Sequence, residues 1–242
     1  MFSFFTKKTQ VDHIEWLGVD MHSHLLPGID DGAADIIHTV GFIKKLRELG
    51  FHKLLCTPHV FTELYPNTPE TIKSALNETQ LALQKTNLDI EIGAAAEYMI
   101  NDTFKVSDQL LCLPGRHLLI EMSYLAEMPD IEKIIFDLQL RGYIVILAHP
   151  ERYNFYFDKH QRFHRLKDIG VLFQLNLLSL SGYYGKEVKK QAEYLIQKNY
   201  YELAGTDLHH EKHLEILTRE IRSGRLFHQI GHVNFRNKEL FV

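Results

Sequence analysis

Histidines and carboxylates recur along this chain at spacings that suit the ligation of metal ions. Asp20-Met-His22-Ser-His24 opens the series. On extended backbone, residues i and i+2 point to one face, so the imidazoles of His22 and His24 can reach a single cation. An isolated HxH pair is common by chance. This one runs directly into LLPGIDDG, which carries Asp30 and Asp31 in a loop bounded by proline and glycine. An Asx turn accounts for Asp30 alone, but not for the whole string. Thr57-Pro58-His59 follows, then Glu97 after the small-residue run GAAA, then Glu121. Ala148-His149-Pro150-Glu151-Arg152 and Gly205-Thr206-Asp207-Leu208-His209 complete the set.

Each of these has a bland explanation taken singly: a half-buried histidine, a rim carboxylate, an Arg152 paired with Glu151. Together, His22, His24, His59, His149 and His209 with Asp31, Glu97, Glu121 and Asp207 form a nitrogen and oxygen donor set without thiolates. That set suits manganese, iron or zinc and exceeds what one ion needs, so two or three divalent ions are expected, manganese foremost. Ions bridged by carboxylates about 3.5–4 Å apart generate hydroxide near neutral pH and stabilise both attacking and leaving oxygens. In-line hydrolysis of a phosphate ester is the reaction this chemistry serves best. Arg152 then has a task, since a guanidinium can hold two phosphate oxygens at once.

The elements that must position these residues alternate in kind. Short apolar runs (WLGV, KLLCT, IEIGAAA, HLLI, YIVILA, LFQLNLL, YELAGT) end near Asp20, His59, Glu97, Glu121, His149, Asn176 and Asp207. They are too short and too continuously apolar for surface helices and suit strands buried on both faces. Helix-period segments lie between most of them, at 36–49, 69–85, 130–140, 158–168, 186–198 and 210–223. Gly50 suits the C′ position of the first, Thr68 and Pro69 the N-cap and N1 of the second. Repeated strand–helix units imply parallel strands with right-handed crossovers. An open sheet would gather its polar residues at one switch point, whereas a barrel gathers them from many strand ends over one mouth. The expected architecture is therefore α/β, a distorted (β/α)7 barrel in a single domain over 1–242, with 1–14 as a short N-terminal extension.

Composition narrows the partners. The chain has 242 residues, 45% hydrophobic and 24% charged, with a formal net charge of -4. These values exclude a disordered or collagen-like chain. A mildly acidic balance offers no footprint for nucleic acid. No apolar stretch reaches the roughly 18 residues of a membrane span. Cys56 and Cys112 make no disulfide framework, and MFSFFTKKTQ lacks the marks of a signal peptide, so a cytoplasmic protein is expected. Phe2, Phe4 and Phe5 are read as a staple against the body of the domain rather than a docking patch.

The string DMHSHLLPGIDDG, followed in order by TPH, GAAAEY, LLIEM, AHPER and TDLH, resembles the polymerase and histidinol phosphatase (PHP) superfamily. Within it, LPGIDDG and AHPER are similar to the bacterial tyrosine-phosphatase branch tied to capsule and exopolysaccharide synthesis. The likeness runs from about Gly18 to about His213. It implies a distorted (β/α)7 barrel with a trinuclear metal site. His22, His24, Glu97 and Asp207 would hold one ion; Glu97, Glu121 and His149 a second; Asp31, His59 and His209 a third. Arg152, Asp207 and His209 would be catalytic, with Arg152 on the phosphate. The implied substrate is phosphotyrosine on the tail of a bacterial tyrosine kinase that controls polysaccharide export. Val60, Met122 and Thr206 depart from the family's usual residues without removing a ligand. A second phosphate-binding cation is unassigned, with Lys212 and Arg116 as candidates.

Rival readings are distinguishable. A histidinol-phosphatase-like enzyme would act on a small phosphate ester. An amidohydrolase begins with HxH too, but bridges its metals through a strand-end lysine, and none stands beside Glu97 or Glu121. Cysteine phosphatases need Cys-x5-Arg, whereas Thr62 and Leu118 follow Cys56 and Cys112 at that distance. A non-catalytic metal-binding regulator on the same scaffold would be expected to have lost ligands.

Overall fold

The protein is described here by a computed structural model covering residues 11–242 except Asp158; Phe2, Phe4 and Phe5 lie outside the described residues. Strand β1 is Val19–Asp20, followed by helix α1 (Ile36–Leu49). Asp35 caps α1 by accepting from the Ile37 and His38 N–H groups, and Gly50 ends it at φ 111°, a left-handed turn that glycine adopts without strain. Strands β2 (Lys53–Cys56) and β3 (His59–Val60) precede α2 (Pro69–Lys85). Thr68 and Thr71 cap α2 reciprocally, with Pro69 just inside its start. Then come β4 (Glu91–Ala94), β5 (Glu97–Ile100), β6 (His117–Met122), α3 (Ile131–Leu140), β7 (Ile144–Ala148) and α4 (His160–Asp168). Strand β8 (Leu172–Asn176), α5 (Lys186–Gln197), β9 (Tyr201–Gly205) and α6 (Glu211–Arg222) follow, and α7 (Arg225–Ile230) and α8 (Asn237–Phe241) close the chain.

All strand pairings are parallel. They form the orders β1-β2-β4 and β3-β5-β6-β7-β8-β9. The two sheets are continuous: β2 runs through Thr57-Pro58 into β3, and β4 runs through Ala95-Ala96 into β5. Hydrogen bonds from Ala95 N to Cys56 O (2.8 Å) and Glu97 N to Pro58 O (3.1 Å) bridge the gap. Proline, which has no N–H to give the ladder, interrupts the regular pairing.

The first and last strands meet at a seam. Backbone bonds join them at the top, from Asp207 N to His22 O (2.8 Å) and from His24 N to Leu208 O (3.0 Å). Below, the Asp20 carboxylate accepts from Thr206 N (2.9 Å) and Thr206 Oγ1 (2.6 Å). Lower still, the fully buried Asn237 side chain stands in for the ladder, donating to Val19 O (2.9 Å) and Ala204 O (2.6 Å) and accepting from Ala204 N (3.1 Å). A β-carbon on Gly205 would lie 2.7 Å from His22 Cβ, so the close approach here requires glycine.

The alternation of strand side chains separates two apolar layers. Val19, Met21, Leu55, Ala95, Leu119, Ile146, Ala148 and Leu203 fill an inner cluster, closed by Leu113 and Phe241. Leu118, Ile120, Met122, Val145, Leu147 and Ala204 face outward against the helices. Two residues beyond Leu119, on the same inner face, comes Glu121. The expected seven parallel runs are observed, with α-helices between all of them but β5 and β6, and the seam is where the barrel departs from regularity.

Candidate metal centre

Every strand run except β8 carries a candidate ligand at its C-terminal edge, and all nine expected ligands, Asp31 from the loop after β1 included, converge there. Four groups bring their nitrogen and oxygen atoms within 4.8 Å of one another. They are His22, His24 and Asp207; His22, Glu97 and His149; His59, Glu97 and Glu121; and His24, Asp31, His59 and His209. His22, His24 and His59 thus each face two groups, where the resemblance implied one. Asp31 stands at the rim, its Oδ1 3.5 Å from His59 Nε2 and 3.6 Å from His209 Nε2.

Glu97 is the centre of the cluster. Its Oε1 lies 3.2 Å from His149 Nε2. Its Oε2 lies 3.3 Å from His22 Nε2, 3.4 Å from His24 Nε2 and 3.1 Å from His59 Nδ1. Yet this buried Oε2 has no partner in hydrogen-bonding geometry, and neither has His149 Nδ1. A fully buried carboxylate oxygen ringed by imidazole nitrogens, none in hydrogen-bond geometry with it, is the environment a cation satisfies. The donor set fits divalent transition metals on this ground.

The imidazoles are already turned for that purpose. His22 Nδ1 donates to Gln174 Oε1 (2.9 Å), His24 Nδ1 to Asp30 Oδ2 (2.8 Å) and His209 Nδ1 to the Asp207 carbonyl (2.9 Å). Each bond fixes the tautomer and leaves Nε2 facing the cluster. Asp30 is therefore an orienting group, and it also accepts from His59 N (3.1 Å) and Gly32 N (3.0 Å). Two non-glycine residues in left-handed backbone, His149 (φ 35°) and Asp207 (φ 50°), are members of the cluster, where such strain commonly accompanies function.

Charge is balanced by protons in this arrangement. Burial opposes ionisation of Glu97, but His22, His59 and His149 hold its carboxyl well below the usual range. Burial likewise opposes the charge on Asp207, which His22, His209, His24 and Arg152 overcome. His59 is pushed up to about 10: burial and His24 work against its charge, and Glu97 and Glu121 prevail. Burial and the neighbouring His24 bring His209 down to about 4. A metal cation entering such a site displaces imidazolium protons.

Over the cluster lies a cavity of about 270 Å3, lined by Phe61, Leu64, Tyr65, Met99, Tyr124 and Arg152 besides six of the nine candidate ligands, His22, His24 and Glu97 lying beneath. Arg152 does not pair with Glu151. Its Nη1 donates to Asp207 Oδ2 (2.7 Å), and its guanidinium lies 4.8 Å from the Tyr124 ring and 4.1 Å from the Tyr184 ring. Asn176 Nδ2 donates to the same Asp207 oxygen at 2.7 Å. Glu151 is buried elsewhere, accepting from Asn176 N, Ser179 Oγ and Tyr201 Oη. His209 faces the cluster while its neighbour His210 stands at the N-cap position of α6 without a capping side-chain bond, its ring tilted against His213 at 3.9 Å. Arg116 lies just before β6, at the opposite end from Glu121, bonded to Arg141 O, and Lys212 stands over the Tyr183 ring. Neither lines the cavity.

Sequence reasoning passed over Gln174 and the two tyrosines around Arg152. Gln174 had a signal: it stands two residues before Asn176 on one strand, hence on the same inner face. Tyr124 and Tyr184 lie in loops and had none.

A parallel α/β scaffold with a one-ended histidine–carboxylate cluster defines a protein equipped to hold metal ions beneath an open cavity. The chain belongs to the CpsB/CapC family of capsular polysaccharide synthesis, whose profile matches residues 18–219. Tyrosine-protein phosphatase YwqE of Bacillus subtilis (strain 168) is 28% identical over 206 residues, 84% of this chain and 81% of YwqE. Tyrosine-protein phosphatase CpsB of Streptococcus pneumoniae is 23% identical over 200 residues, 79% of this chain and 82% of CpsB. Crystal structures of YwqE and CpsB from these organisms, unique metal-dependent tyrosine phosphatases, include a chain that matches with a TM-score of 0.78 and 26% identity. That match covers 92% of this chain and 93% of the other. The lactonase Lmo2620 from Listeria monocytogenes, at 12% identity and a TM-score of 0.56, shares the fold alone.

Proposed function

We propose that this chain is a metal-dependent protein-tyrosine phosphatase that removes phosphate from phosphotyrosine. The observation that carries the reading is Glu97 Oε2, a buried carboxylate oxygen without a hydrogen-bond partner, whose neighbours His59 and His149 line a cavity walled by Arg152. Family membership and the activities of YwqE and CpsB support it. His22, His24, Asp31, His59, Glu97, Glu121, His149, Asp207 and His209 would hold two or three divalent ions, manganese foremost. Bound there, the ions supply an activated water and charge neutralisation for phosphoryl transfer.

The residues of the chain do the rest. Asp207, through Oδ2, holds the Arg152 guanidinium at the cavity wall, and the Tyr124 and Tyr184 rings lie within cation–π distance of it. From there its free N–H groups take phosphate oxygens in the paired geometry a guanidinium favours. His209, neutral because burial opposes its charge, stacks on His24 at 3.9 Å and closes the ligand set beside Asp31. Phe61, Leu64, Tyr65 and Met99 give an apolar wall for a phenyl ring next to the phosphate. A tyrosine phenoxide, with a pKa of about 10, is a far better leaving group than an alkoxide, so little help from a general acid is needed. The physiological substrate in this reading is a bacterial tyrosine kinase of polysaccharide export, met in the cytoplasm. Among the described residues no helix is long and apolar enough to cross a membrane.

Elemental analysis of the purified chain, with hydrolysis of phosphotyrosine peptide, phosphoserine peptide and histidinol phosphate, tests the reading. Bound transition metal and preference for phosphotyrosine are expected, with His149→Ala folded and inactive. A preference for histidinol phosphate would replace it with a small-molecule phosphoesterase.

A further inference from the structure

A second cavity, of about 460 Å3, opens beside the first. The two share Tyr124 and Arg152, so the residues that wall the metal cluster on one side wall this space on the other. Its remaining lining includes Asn154, Phe157, Tyr184, Lys186 and Val188. A phosphorylated side chain fills the first cavity alone, and a small phosphate ester has nothing to place in the second. A polypeptide does, because the chain on one side of the phosphorylated residue must leave over Tyr124 and Arg152.

Resting on the phosphatase reading, we propose that this second cavity seats the polypeptide flanking phosphotyrosine and selects an acidic side chain there. The walls combine what such a segment needs. Tyr124, Phe157 and Tyr184 offer half-buried rings for apolar contact, and the exposed Asn154 amide can both donate to and accept from an extended backbone. The charge at the outer rim is unbalanced. Glu187 is engaged by Lys190 Nζ at 2.9 Å, whereas Lys186 has no ion-pair partner among the described residues. Arg152 at the inner end is paired with Asp207, so the unmatched positive charge of the cavity is that of Lys186 at its outer rim. That complements an acidic peptide and discriminates against a basic one.

Lys186 is the first residue of α5, where an acidic residue is favoured by the helix dipole, so Lys186→Glu keeps the fold. The experiment uses the metal-loaded full chain with p-nitrophenyl phosphate and two phosphotyrosine nonapeptides, one acidic and one basic in its flanks. The wild-type chain is expected to favour the acidic peptide. Lys186→Glu should raise its KM about tenfold, as reversing one rim charge warrants, and improve the basic peptide. The constants for p-nitrophenyl phosphate, which ends within the first cavity, should not move. Equal changes for all three substrates, or no change for either peptide, would overturn the peptide subsite while leaving the phosphatase reading in place. Failure of the wild-type chain to hydrolyse any of the three would remove both.

Discussion

Asn237 is where the seam of the barrel can be tested without touching the metal end. Its side chain makes three hydrogen bonds to backbone groups of β1 and β9, two strands that form no ladder at this level. Asn237→Ala leaves the Ala204 N–H and the carbonyls of Val19 and Ala204 in a buried position without partners. At about 1–3 kcal/mol for each orphaned group, eased where a water enters the space, the cost is about 3–5 kcal/mol. That is a large fraction of the roughly 5–15 kcal/mol that keeps a domain folded. With a urea m-value of about 2–3 kcal/mol/M, the unfolding midpoint should fall by about 1–2 M. Asn237→Asp separates bonding from volume: the side chain keeps its shape but turns a carboxylate oxygen toward two carbonyl oxygens, so it should be no more stable than the alanine variant at pH 7. Metal uptake in the absence of urea should be retained, because the ligands stand at the opposite end. Midpoint shifts below about 0.3 M in both variants would refute the idea that a side chain closes the barrel here.

Three other outcomes follow from the same geometry. Asp30→Asn keeps one acceptor but sets an amide N–H against a donor, either His24 Nδ1–H or Gly32 N–H; metal affinity by chelator competition should drop about 10–100-fold, and unchanged affinity would deny Asp30 its orienting role. Gly32→Ala would place a methyl 2.0 Å from the His24 carbonyl oxygen, which belongs to backbone and cannot swing aside, so metal uptake should be lost even where circular dichroism shows a folded chain. Glu132, bonded by Arg165 and Arg162, has its carboxyl lowered from 4.5 to about 2. Its stabilising effect is complete above about pH 4.5 and is lost as pH falls toward 2, so Glu132→Gln should flatten the acid limb of a stability–pH curve over that window.

How much of this was legible beforehand depended on whether a feature is local. The helices at 36–49 and 69–85 were readable to the residue, because Gly50, Thr68 and Pro69 act on the backbone beside them. The segment expected at 158–168 begins as helix at His160, without a capping side chain to mark its start. The last helices, α7 and α8, went unread: at 6 and 5 residues they are too short for a periodic face to emerge. The nine candidate ligands were visible because strand alternation and strand ends are sequence properties. Their division into groups was not. His59 turns Nδ1 to Glu97 and Glu121 and Nε2 to Asp31, and only the folded chain decides which imidazole edge meets which carboxylate.

The seam and the metal end are one construction. Gln174 shows how: a single carbonyl oxygen on β8 accepts from His22 Nδ1 (2.9 Å) and from His149 N (3.3 Å). It therefore sets the ring of one proposed ligand and the strained backbone of another. Asp207 is fixed in the same manner, its N–H given to His22 O and its Oδ2 held by Asn176 and Arg152. Since β1 and β9 lack a ladder, the position of His22 relative to Asp207 rests on these few bonds and on the Asp20–Thr206 pair. A cation shared by His22 and Asp207 would tie the same two strands together at their upper end. Loading the metal should accordingly stabilise the native chain and the Asn237 variants by the same amount, set by the affinity of the upper end for the ion.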